Sequence, residues 1–426
     1  MQHKIEEVRL KNGTRGLLID VPAARVFDMR FGFRAGNRFV RDKEKYETAH
    51  LMEHMAFGAN AKFKDEHDYE AEFTKNGAWH NAYTADFTMT YVATSADFEW
   101  ERILELQQLA ITSPKFNEEE MQSEKGNITN ELTGYKNNYG RLIWTYMQKD
   151  LGEGILLLDD ELKTLPNIEL KDIRDFHDYT HTMENMRFII AGNLGGRKAK
   201  ILRTLESFNL PSGKRLETPH DEYRYAPARL IQRKDAANLS FGWTMVLDRH
   251  LSYDEVLMME ALNHILTGTL YSRILGRARK QGLVYGIFSE ATTAERSSAW
   301  DFGGEVNYES AHELLLIMAE EIKKVVGGDV KDSEIEAFRS YALGRYAMSG
   351  QTVGALAGAY APGYFNMDEI NLRSEIPERV KEIRKEDVIG IANEFIGNRK
   401  WTLTMVGNRE HVNVKELSSA LEGIFE

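Results

Sequence analysis

The sequence predicts an α+β protein made of two similar halves, and three observations carry that prediction. Both halves present the same order of signals: an alternating strand, an apolar helix, further strands, long charged helices and a closing strand ending in Gly-Asn. Matching anchors, Tyr46 with Tyr253 and Asn193 with Asn408, lie 207 and 215 residues apart, a repeat of domain size rather than a solenoid period. Between the halves, Pro211, Pro219 and Pro227 gather with Gly213 and several charges, as in an exposed linker.

A linker over 216–224 therefore separates 1–215 from 225–426. At 426 residues the chain suits two or three domains and can bury a large core. With 42% hydrophobic and 28% charged residues it reads as a soluble globular protein. Its net charge of −12, without a Lys/Arg-rich run, argues against nucleic acid and anionic membrane surfaces as partners. Cysteine is absent, so any metal must be held by nitrogen and oxygen. The N-terminus runs directly into strand-like alternation around Asn12-Gly13, without an apolar signal core, and a cytoplasmic location is expected.

In the first half, "HLMEHMAF" from His50 to Phe57 is an apolar helix interrupted by two histidines and a glutamate. The segment Asn76–Ser95 follows as a turn and then a strand with one face buried. Glu118 to Arg141 is polar and rich in Glu, Asn and Lys, a long helix with Asn117 as N-cap. "RFIIAGN" and "WTLTMVGN" close the two halves as strands.

On a helix, His50 and His54 project from one face, so both imidazoles can reach one ion at roughly 2.0–2.1 Å, with Glu53 between them. A third ligand must come from another element, and the long helix offers Glu124 and Glu131, seven apart and on one face. Spacing alone leaves open which of them binds metal and which accepts a hydrogen bond from a ligating histidine. Glu53 is then the general base for a metal-activated water. His177 and His181 share the i, i+4 spacing but lack an intervening base and a third ligand, and read as a solvated helix face.

These residues resemble the inverted-motif zinc peptidases, the family of pitrilysin, insulin-degrading enzyme and mitochondrial processing peptidase, whose signature is H-x-x-E-H. The resemblance runs through "LKNG" at Leu10, "AGNR" at Ala35, "AHLMEHMAF" at Ala49, "NAYT" at Asn81 and the glutamate helix. It implies two similar domains, each a mainly antiparallel sheet with helices packed on it, and one Zn2+ per chain. The family's distal glutamate, after about 76 intervening residues, falls on Glu131 as third ligand and leaves Glu124 outside the ligand set. The resemblance also implies that "HNAYT" binds extended peptide by strand addition, with Asn81, Ala82 and His80 as contacts.

In the second half Glu260 matches Glu53, but Leu257 and Ala261 replace the histidines, so that half cannot hold the metal. Its "RARKQGLVYG" is similar to a family stretch that binds substrate and stabilises an oxyanion, through Tyr285 and an arginine. The family spacing reaches Ala278, between Arg277 and Arg279, and Arg279 is assigned the role. Glu47 and Val40 depart from the family pattern, a small residue and an acid, and bear on substrate preference. The resemblance thus implies a zinc endopeptidase acting on peptides or unfolded segments within a clamshell, as a homodimer or as a heterodimer with a related chain. The alternative is a non-catalytic scaffold or partner subunit of the same fold.

Overall fold

The computed structural model describes residues 1–425; Glu426, the last residue of the expected second domain, lies outside the described residues. The chain forms two compact units. The first comprises Met1–Gly134, Leu158–Pro219 and Met348–Asn371, the second Tyr135–Leu157, His220–Ala347 and Leu372 onward. The break at Pro219–His220 lies inside the linker expected over 216–224, yet neither unit is the unbroken stretch 1–215 or 225–426. Each unit takes in one helical segment from the other half of the sequence, because an apolar helix face packs on whichever sheet presents a complementary surface.

The first unit holds β1 (Lys4–Arg9), β2 (Arg15–Asp20), β3 (Val26–Phe33), β4 (Trp79–Thr84), β5 (Met89–Ala96) and β6 (Met186–Gly192), in the order β1-β2-β6-β3-β5-β4. Every pairing is antiparallel except β2 with β6. β6 is buried along its whole length, as its run of Met, Phe, Ile and Ala requires. One sheet face is covered by the helix Val353–Met367, where Leu17, Ile19 and Ile189 pack against Leu356, Tyr360 and Tyr364. Close approach needs Gly32 on β3, since a Cβ there would lie 2.5 Å from the Phe365 ring. On the same face the buried Asp28 is neutralised by Arg30, whose Nε donates at 2.6 Å.

The second unit repeats this plan without the outermost strand. Its β7 (Arg229–Gln232), β8 (Leu239–Leu247), β9 (Ile287–Thr293), β10 (Ser298–Val306) and β11 (Trp401–Gly407) are ordered β7-β11-β8-β10-β9, with β7 and β11 parallel. Trp243, Trp300, Phe302 and Leu403 form the main core with Leu262, Met318 and Phe395. The opposite face is covered by the helix Tyr139–Leu151, whose Ile143 and Met147 pack with Val406. Gly242 on β8 makes room for Ile143, as Gly32 does for Phe365 in the first unit.

Three local expectations change. The helix expected over Glu118 to Arg141 is two helices, Glu118–Tyr135 and Tyr139–Leu151, because Asn138 accepts from Arg141 N–H at 3.0 Å and caps a new start. Asn76–Ser95 is a hairpin of β4 and β5, closed where Ala85 N–H donates to the Thr88 carbonyl. His177 and His181 are not a solvated face. Both are buried, stacked at 4.4 Å, with His177 Nε2 3.0 Å from the Ile111 carbonyl and His181 Nε2 2.8 Å from the Tyr91 hydroxyl; burial pushes both below the usual imidazole range. Among the described residues, no helix is long and apolar enough to cross a membrane.

Candidate metal centre

The centre forms within the first unit, on two helices. In the helix Thr48–Met55, Ala49, Leu51, Met52 and Met55 are buried, which turns His50, Glu53 and His54 to one side. In Glu118–Tyr135, buried Met121, Ile128 and Leu132 set the rotation that brings Glu124 and Glu131 toward the histidines. His50 Nε2 and His54 Nε2 lie 3.2 Å apart, and Glu131 Oε2 is 3.5 Å from the first and 3.6 Å from the second. The other ring nitrogens point away from this triangle: His50 Nδ1 is 2.8 Å from Glu47 Oε2, and His54 Nδ1 is 2.8 Å from Glu124 Oε2.

This donor set fits zinc. Two donors at 2.0–2.1 Å from a tetrahedral ion stand roughly 3.3–3.4 Å apart, close to all three sides of the triangle. In the neutral rings, with each Nδ1–H donated to a carboxylate, both Nε2 atoms carry lone pairs and face each other, an arrangement that suits a cation between them. The field of the site agrees. Burial disfavours charge on His50, but hydrogen bonds to Glu131 and Glu47 outweigh it and push the imidazole up to about 10. His54 is likewise opposed by burial and pushed up to about 9 by Glu124 and Glu131. The carboxylates that hold those protons would hold a dication in their place, so metal and protons compete.

Glu53 stands beside the triangle, and ligating atoms of His50, Glu53 and His54 all lie within 4.8 Å of one another. Burial raises its carboxyl above the usual range, against the pull of His54 and His50, and its Oε2 accepts from the Thr84 hydroxyl at 3.3 Å. Thr84 ends β4, an edge strand paired on one side only, with β5. Along β4, Asn81 is exposed and Ala82 buried. The His80 ring is packed between Phe57 and Phe73, with Nε2 at 2.5 Å from Glu70 Oε2.

Tyr285 and Arg279 belong to the second unit. Tyr285 is 91% exposed; Arg279 Nη1 donates to its carbonyl at 2.9 Å, and the guanidinium lies 4.8 Å over its ring. Arg277 is instead engaged with Glu320 at 2.7 Å and with Glu321. With Asn238, Glu305 and Asn307, the Arg279–Tyr285 pair lines a cleft. Of the residues that matter to the centre, sequence reasoning misses Thr84 and the contact of Glu47 with His50. The signal for the latter is present in the chain, an acid three residues before a histidine on one helix.

A helix bearing H-x-x-E-H, joined by a distal glutamate on a second helix, defines the inverted class of zinc-peptidase centres. The model of the insulinase family, peptidase family M16, matches residues 33–155, and that of the peptidase M16 inactive domain matches 167–341. The chain belongs to this family. It is 20% identical to the uncharacterised zinc protease YmxG of Bacillus subtilis over 92% of this chain and 95% of that one. To the zinc protease PqqE of Helicobacter pylori it is 22% identical, over 94% and 92% respectively. The peptidase M16 inactive domain structure from Pseudomonas fluorescens shares the fold at a TM-score of 0.83 and 18% identity, over 95% of this chain and 98% of that one.

Proposed function

We propose that the chain is a zinc-dependent endopeptidase acting on peptides or unfolded protein segments. The observation that carries this reading is the triangle of His50 Nε2, His54 Nε2 and Glu131 Oε2, with sides of 3.2, 3.5 and 3.6 Å, beside the buried carboxyl of Glu53. His50, His54 and Glu131 would hold one zinc ion per chain. The ion would supply a Lewis acid that polarises the scissile carbonyl and makes a nearby water acidic.

Glu53 takes the proton of the attacking water and returns it to the leaving amine. Burial raises its affinity for protons, which suits a group that must both accept and give one. Glu124 holds His54 by Nδ1. The free edge of β4 is the proposed peptide-binding strand, with Asn81 and Ala82 offering backbone groups, and Tyr285 with Arg279 are the proposed oxyanion donors. The second half takes no part in metal binding, because Leu257 and Ala261 occupy the histidine positions. Pairing with a second copy is part of the same reading, and sedimentation of the purified protein tests it.

Glu53→Gln should abolish peptide hydrolysis while zinc remains bound at one equivalent. Full activity in that variant would remove the mechanism, and a wild-type protein that binds no zinc and cleaves nothing would favour a scaffold.

A further inference from the structure

We propose that Glu47 is a positioning residue for His50: its carboxylate holds the imidazole with Nδ1–H donated and Nε2 turned to the metal, and so sets zinc affinity. The inference rests on the zinc-peptidase reading above. Glu47 occupies the N-cap position of the histidine helix, where a carboxylate ordinarily accepts from the backbone N–H groups of the first turn. Its side chain makes no such cap bond. Instead Oε2 reaches one turn along to His50 Nδ1 at 2.8 Å.

The placement is costly unless it serves the imidazole. Glu47 is 1% exposed, and its other oxygen accepts from the Asn37 amide at 3.3 Å. A buried carboxylate is destabilising unless its hydrogen bonds are strong. The duplicated half provides the control. Aligning Tyr46 with Tyr253 puts Asp254 at the Glu47 position and Leu257 at that of His50. There the acid faces outward, its side chain 55% exposed, and accepts from Arg379 Nη1 at 2.6 Å. Where the histidine is missing, the acid leaves the interior. Glu47 is thus to His50 what Glu124 is to His54.

The test is zinc competition against a chromophoric chelator, on the full chain, with cobalt substitution as a spectroscopic check. Glu47→Gln should weaken zinc binding 10- to 100-fold and shift the visible bands of the cobalt-loaded protein, whereas Asp254→Asn changes neither. If Glu47→Gln does not fold, Glu47→Asp carries the test, keeping the charge but withdrawing it by one methylene. Zinc affinity within twofold of wild type, with an unchanged cobalt spectrum, overturns the role of Glu47 and leaves the peptidase reading standing. A wild-type chain that binds no zinc overturns both.

Discussion

Replacing Asp301 by Asn should stabilise the second unit at alkaline pH and have little effect in acid. Asp301 sits on β10, 1% exposed, with neither carboxylate oxygen in a full hydrogen bond. Across the sheet it lies in one row with Glu290, Thr244 and Thr402. Burial raises its pKa from 3.8 to about 7, Thr244 pulling the other way and Glu290 adding repulsion. A folded-state pKa above the unfolded one means stability that is complete below about pH 4 and is lost as pH rises through about 7. At about 1.4 kcal/mol per pH unit, the loss amounts to ~4 kcal/mol at most, before relaxation of the site reduces it. Asn keeps the shape and cannot ionise. Asp28→Asn in the first unit should show no such gain, because Arg30 already neutralises that carboxylate. Urea unfolding followed by tryptophan fluorescence suits the measurement, since Trp144, Trp243, Trp300 and Trp401 all lie in the second unit. A difference between Asn variant and wild type that does not grow between pH 5 and 8.5 would refute the reasoning.

Chelation should lower the unfolding midpoint of the first unit, with zinc at 100 times its Kd restoring ~2.7 kcal/mol. At one fixed free zinc concentration the loss should be larger at pH 9.5 than at pH 6.5: the raised imidazoles of His50 and His54 stabilise the metal-free protein fully below about 6.5, and that contribution disappears as pH passes through about 9 and 10. Equal losses at both pH values would contradict this. Gly32→Ala drives a Cβ into the Phe365 ring and should cost about 1–3 kcal/mol in denaturant midpoint. Adding Phe365→Leu should recover part of that cost, and strict additivity of the two changes would speak against the contact.

Much of the centre was legible because its spacing is local. His50, Glu53 and His54 lie within five residues, and helical periodicity alone places them on one side. Glu131 follows from the family spacing and not from local physics, since nothing local ties one helix to a residue 77 positions away. The interior location of His177 and His181 was not legible. Polar neighbours such as Asp175 and Asp178 suggest an exposed helix, but Phe33, Tyr91 and Phe116 close over the rings only in the folded chain. The break at Asn138 was likewise obscured, because the charged residues on either side suit one long helix as well as two.

The sequence by itself determined the duplication, the family, the donor types available for a metal and the half that lacks them, all properties of residue identity and short-range period. Tertiary structure alone decided which sheet each covering helix joins, and it turned Glu47 inward to His50 while Asp254, at the same repeat position, faces solvent. The physical reason is common to both. An apolar face or a buried carboxylate is stabilised only by the particular surface it meets, and that surface is assembled from residues far apart in the chain.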